Sequence, residues 1–180
     1  MRHLDRLLEN NARFATTDAK TEAPKIPFIP HQQVYIVTCV DPRVDPAQLL
    51  GLDLGDAIVA RNVGGRVTEA VLEDLAWISF LHEVKTPLAD WFELVVVHHT
   101  DCGSALMADD DLRHSFARRG FDESHLRATA VTDPAVTVSD DVARVLTNPH
   151  VSSSIAVSGY VYDVDTGLLE EVVAPARPKH

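Results

Sequence analysis

The stretch Val34-Tyr35-Ile36-Val37-Thr38-Cys39 is short, apolar and rich in β-branched residues, and Val40-Asp41-Pro42-Arg43 follows it at once. A run of this length without polar alternation reads as a strand buried on both faces, the kind found inside a parallel sheet. Residues 93–98 (ELVVVH) and 155–161 (IAVSGYV) have the same character, and residues 57–60 form a shorter version. Helical patterns lie between them. Residues 68–84 predict a strong helix with Thr68 as its N-cap and Val71, Leu72, Leu75, Ile78 and Leu81 on one apolar face. Residues 46–50 read as a helical turn, about 109–119 as a polar helix, and about 139–146 as a second helix with Ser139 as its N-cap. After a turn at 163–167, residues 168–173 read as a last, edge strand. Strands alternating with helices predict an α/β domain: a mostly parallel central β-sheet flanked by helices, with a C-terminal edge strand.

Upstream of the first strand, Leu4, Leu7, Leu8, Ala12 and Ala15 recur at helical spacing, and residues 18–30 carry Pro24, Pro27 and Pro30. Residues 1–30 therefore read as an N-terminal helical arm on an extended connector, laid either over its own core or over a partner subunit. With 180 residues, 46% hydrophobic and 24% charged, the chain has the composition of a single globular domain spanning 1–180. A net charge of -11 argues against a surface built to coat nucleic acid or anionic lipid. No apolar run approaches the roughly 20 residues that span a bilayer. The first ten residues lack the apolar centre of a signal peptide, so a cytoplasmic location is the expectation.

Two strand ends carry the chemistry. The first ends in Cys39-Val40-Asp41-Pro42-Arg43, and the third in His98-His99-Thr100-Asp101-Cys102-Gly103. Both cysteines of the chain fall at the same predicted sheet edge, where α/β proteins bind ligands. Two thiolates and an imidazole suit Zn²⁺, and three protein ligands leave a fourth position, the mark of a catalytic zinc. Two thiolates donate more charge than imidazoles would, so a water on such a zinc should be less acidic than at an all-histidine site. Asp41 could fill the fourth position or accept a proton from the water there. Arg43, two residues on, would decide between these by binding the carboxylate and holding it off the metal. As thiols without metal, Cys39 and Cys102 would form a disulfide, pack as inert groups, or serve with His99 as a cysteine nucleophile.

Cys-x-Asp-x-Arg followed further along by His-x-x-Cys resembles the signature of the β-class carbonic anhydrase family, here Cys39, Asp41 and Arg43, then His99 and Cys102. The segment Arg61-Asn62-Val63-Gly64-Gly65 resembles the family's Arg-Asn-x-Gly turn. The likeness runs from about Val34 to Val173 and includes the arm. The resemblance implies zinc on Cys39, His99 and Cys102, an Asp41–Arg43 catalytic dyad, and a homodimer as the minimal unit, often paired into a homotetramer. It implies hydration of carbon dioxide to bicarbonate. His-His-Thr-Asp-Cys-Gly also resembles a compact subgroup that includes carbonyl sulfide and carbon disulfide hydrolases, so carbonyl sulfide hydrolysis to hydrogen sulfide and carbon dioxide is the alternative. A zinc-stabilised module without turnover is a third reading, against which the Asp41–Arg43 pair stands.

Other residues carry weaker signals. Gly64 and Gly65 read either as a tight turn or as a close backbone approach to a substrate-binding pocket. Arg61 could attract bicarbonate, Arg66 reads as a solvated surface arginine, and His98 reads as structural. Residues 109–111 read as a solvated helix start, where acidic groups suit the helix dipole.

Overall fold

The computed structural model describes residues 3–18 and 28–179. The 18–30 connector therefore falls largely outside the described residues. An N-terminal helix α1 (His3–Phe14) precedes β1 (Val34–Cys39), a short helix α2 (Pro46–Leu50) and β2 (Ala57–Asn62). A 3₁₀ turn at Val63–Gly65 leads to α3 (Glu69–Lys85) and β3 (Glu93–His99). A second 3₁₀ stretch (Gly103–Ala108), α4 (Asp110–Ala117), α5 (Glu123–Thr129) and α6 (Pro134–Leu146) follow, and then β4 (Ala156–Tyr162) and β5 (Leu169–Ala176).

The five strands lie in the order β2-β1-β3-β4-β5. All neighbours are parallel except β4 and β5, which are antiparallel, as expected for an edge strand after a tight turn. The chain moves from β1 to β2 on one side and crosses back to β3 on the other, so the sheet's topological switch point lies between the carboxyl ends of β1 and β3. Cys39 pairs with Asn62 there, and His99 pairs with Tyr162, which brings the ends of four strands to one edge.

Burial explains why the strands read as apolar runs. Tyr35, Val37, Leu94, Val96 and Val157 face one side of the sheet, against Val71, Leu72 and Leu75 of α3 and Val138, Val142 and Val145 of α6. Ile36, Val44, Val97 and Tyr162 fill the other side, where Leu49 of α2, Leu52, Val164 and Leu169 pack against them. Thr68 caps α3, its side chain accepting from the Val71 amide. The deepest face of α3 continues with Ser79 and His82, whereas Ile78 and Leu81 are only partly covered. Ile78 nonetheless packs against that core, as the periodicity predicts, while Trp77, Phe80 and Val84 on the same helix are exposed.

One helical boundary differs from the sequence reading. The last helix starts at Pro134, not at Ser139. Its cap is Asp133, whose carboxylate accepts from the Ala135 and Val136 amides, and proline at the first helical position needs no donor partner. Ser139 lies inside this helix and donates to the Ala135 carbonyl. The polar helix expected at about 109–119 is α4, and a further helix, α5, follows it; Arg113, fully buried, ties the two together through Asp110, Glu123 and the Met107 carbonyl. Residues 109–111 are exposed as expected, and Asp109 caps α4.

The turn between β2 and α3 is fixed by close packing. A Cβ on Gly65 would sit 2.8 Å from both the Cys39 nitrogen and the Thr38 carbonyl carbon, and Gly65 has φ 66°. Gly65→Ala is expected to cost about 2–4 kcal/mol, since left-handed strain and a backbone clash add together. Chemical denaturation checks this, and a loss below about 0.5 kcal/mol would mean that the turn yields freely.

Candidate metal centre

The three residues read as ligands converge. The Cys39 and Cys102 sulfurs and a His99 nitrogen all lie within 4.8 Å of one another, and all three residues are buried. The sulfurs are 3.9 Å apart and both thiols are free, far beyond the roughly 2.05 Å of a disulfide.

Local backbone places each donor. Cys39 and His99 are the last residues of β1 and β3, at the switch point. Cys102 returns to the same point because Asp101 adopts φ 53°, a left-handed conformation that reverses the chain. The loop is tied to β4, with the Thr100 amide donating to the Tyr162 carbonyl and the Val164 amide donating to Thr100 Oγ1. His99 Nδ1 lies 2.8 Å from the Thr100 carbonyl. A carbonyl only accepts, so Nδ1 carries the proton and Nε2 keeps its lone pair. That Nε2 is buried and has no conventional hydrogen-bond partner among the described residues. A buried, unpartnered imidazole nitrogen beside two buried sulfurs fits Zn²⁺ in charge, softness and donor number.

The two thiols are electrostatically unequal. Cys39 is pushed up to about 11, first by its hydrogen bond with Cys102 and then by burial. Cys102 is pulled down to about 6, first by that same hydrogen bond and then, against burial, by Ser104. Near neutral pH the pair shares one proton, which a metal ion must displace. Zinc affinity is therefore expected to rise about tenfold per pH unit between pH 7 and 9, with about one proton released per metal. Calorimetric titration in buffers of different ionisation enthalpy counts that proton, and a pH-independent affinity would contradict the shared-proton description.

Asp41 and Arg43 form a tight pair beside the sulfurs. Arg43 Nε and one terminal nitrogen reach the two Asp41 oxygens at 3.0 and 2.7 Å. The guanidinium holds the Asp41 carboxyl down at about 2. The Asp41 amide points at Cys39 Sγ, 3.4 Å away. Arg43 also binds Asp101, at 2.7 Å to the carboxylate and 3.0 Å to the carbonyl, so it bridges the two loops that carry the donors.

The flanking residues settle into supporting roles. Arg61 donates to the Cys39 and Asp41 carbonyls at 2.9 and 2.8 Å, so its guanidinium is committed to the loop. Arg66 is not a solvated arginine, because its side chain is 11% exposed and pairs with fully buried Asp141 at 2.8 Å. The sequence reading erred because Asp141 sits far along the chain, on α6. Asp141 also accepts from the Val67 amide and lies 3.2 Å from His98 Nε2, while His98 Nδ1 meets Thr137, as suits a structural histidine. A Cβ on Gly64 would sit 3.0 Å from Ser104 Oγ. Asp101, Ser104 and Asp141 escaped the sequence reading, and only the position of Asp101 and Ser104 beside a candidate ligand could have flagged them.

The carbonic anhydrase family model matches residues 34–169. Beta-carbonic anhydrase 1 of Mycobacterium tuberculosis is 34% identical over 172 residues, covering 93% of this chain and 96% of that protein. Carbon disulfide hydrolase of Saccharolobus solfataricus is 26% identical over 164 residues, covering 78% of this chain and 77% of that protein. The crystal structure of carbonic anhydrase from Streptococcus mutans superimposes with a TM-score of 0.73 at 34% identity, covering 96% of this chain and 98% of that one. The buried S₂N cluster at the switch point and these likenesses along nearly the whole chain lead to one conclusion: this protein belongs to the β-carbonic anhydrase family, whose related branch includes the carbon disulfide hydrolases.

Proposed function

We propose that the protein hydrates carbon dioxide to bicarbonate, with Cys39, His99 and Cys102 as zinc ligands and Asp41 and Arg43 as the catalytic dyad. The observation that carries this reading is the two-point grip of Arg43 on Asp41, which keeps a carboxylate beside a three-donor site without its joining the cluster. When bound, zinc supplies the Lewis acidity that activates a water molecule near neutral pH. Asp41, ionised throughout the physiological range, accepts a hydrogen bond from the water and turns its lone pair toward the carbon of the substrate. Arg43 fixes that orientation. A carbon–oxygen bond then forms, and bicarbonate and one proton leave. Gly64 and Gly65 let the turn pack against Cys39 and Ser104, and in this reading the turn contributes to the substrate-binding pocket.

Carbonyl sulfide hydrolysis is the second reading, supported by the likeness to a carbon disulfide hydrolase. Both reactions need the same oxygen attack on a linear carbon. The test is the ratio of catalytic efficiencies for carbonyl sulfide and carbon dioxide on one zinc-loaded preparation, with carbon disulfide as a third substrate. Fast hydration with a low ratio supports the first reading. A high ratio transfers the assignment to the hydrolase branch.

The reading includes a homodimer or homotetramer. Leu4, Leu7 and Leu8 of α1 are all more than half exposed, and Val59 and Val63 leave the free edge at β2 apolar. A partner's arm over this surface would cover both, with residues 1–30 acting as the arm. Sedimentation is expected to give a dimer or tetramer that Leu7→Glu shifts toward monomer. A wild-type monomer at micromolar concentration would contradict it. No helix among the described residues is long and apolar enough to cross a membrane. Two free thiols this close suit a reducing compartment, in line with a cytoplasmic site of action.

A further inference from the structure

Ser104 stands two residues beyond Cys102, and it is 5% exposed. Its hydroxyl has two close partners: Cys102 Sγ at 3.2 Å and the Val131 amide nitrogen at 3.2 Å. An amide N–H only donates, so Ser104 Oγ accepts from Val131. The hydroxyl's single proton remains to be placed. A thiolate that holds a metal carries no proton and only accepts. Among the described residues, the acceptor against this buried hydroxyl is therefore Cys102 Sγ. Val131, 3% exposed, packs on both cysteines and closes the site on that side, and the Gly64 turn closes it on another.

We propose that Ser104 is a positioning residue of the metal centre, its hydroxyl donating to Cys102 Sγ and drawing charge off that thiolate. The proposal rests on the reading of Cys39, His99 and Cys102 as the ligands. Cys39 receives a weaker counterpart, the Asp41 amide at 3.4 Å. The two sulfurs are thereby made unequal donors. The consequence answers a problem set by the ligand types. Two thiolates quench the Lewis acidity of zinc more than imidazoles do, and a hydrogen bond to one of them returns part of it. The Val131 amide, donating to the same hydroxyl, ties the ligand turn to the segment between α5 and α6.

The test uses the full chain loaded with cobalt(II), whose thiolate-to-metal charge-transfer bands report sulfur electron density directly. Removing a donor from a thiolate raises its lone-pair energy. Ser104→Ala is therefore expected to move the charge-transfer band to longer wavelength, and Ser104→Thr, which keeps the hydroxyl, to return it to the wild-type position. A hydroxyl that merely props Val131 would lower thermal stability in Ser104→Ala and leave the band in place. An unmoved band in a fully loaded Ser104→Ala protein overturns the proposal. Bound cobalt without any thiolate charge-transfer band in the wild type overturns the ligand reading itself, and the proposal with it, so the two failures are distinguishable. If Ser104→Ala does not fold, neutron diffraction from deuterium-exchanged crystals of the zinc-loaded wild type decides. A deuteron on the Ser104–Cys102 line supports the proposal, and one directed to any other atom overturns it.

Discussion

Cys39→Ser is expected to take the zinc content from about one ion per chain to near zero and to lower carbon dioxide hydration on the order of 10⁴-fold or more, toward the uncatalysed rate. A serine hydroxyl stays protonated at neutral pH and is a poor partner for zinc, whereas a cysteine thiol, even one raised by its neighbours as Cys39 is, ionises far more readily than a hydroxyl and gives a thiolate that zinc binds well. The fold should survive, because Cys39 is the last residue of β1 and the strand's pairing with β2 and β3 is made by backbone. Metal analysis, far-UV circular dichroism and stopped-flow hydration separate these effects. A variant that is folded and zinc-free yet active would move the chemistry away from the metal and toward a thiol nucleophile at Cys102.

Arg43→Ala is expected to keep the metal and lose activity by about 10–100-fold, which is the scale seen when a group holding a metal centre's immediate neighbours is removed. Arg43 grips Asp41 through two nitrogens and Asp101 through two contacts. Without it, the Asp41 carboxylate loses the cation that holds it in place beside an electropositive ion. With zinc bound, the freed carboxylate would compete as a further ligand. The signature is thus a zinc-replete protein of low activity, with any loss of stability small because Arg43 is an exposed side chain. Asp41→Asn in the same background removes the competing ligand and keeps zinc bound. If Arg43→Ala retained near-wild-type activity, the pair would be a loop brace only.

The sequence made some parts of this architecture legible and hid others for identifiable reasons. The strands were readable because β1 and β3 are buried on both faces, which writes an unbroken apolar run into the chain. Cys39, Asp41 and Arg43 were readable because one loop carries all three, and His99 and Cys102 because one tight turn does. Asp141 was not, since it reaches Arg66 and Val67 from α6, and that contact depends on how α6 packs across the sheet. The burial of Arg113 was hidden because one of its carboxylate partners, Glu123, lies on the next helix. The start of α6 was misplaced because Ser139 offered a plausible cap while Asp133-Pro134 offered a better one. Ser104 carries no sequence signal of its own. Its meaning comes from Val131, which occupies its lone pair and leaves its proton for Cys102.

The most direct measurement is the carbon dioxide hydration rate of one preparation followed through removal of zinc by a chelator and its stoichiometric return. The account predicts that the rate falls in proportion to the zinc removed and recovers with the zinc restored. Hydration that persists in the zinc-free protein would contradict it.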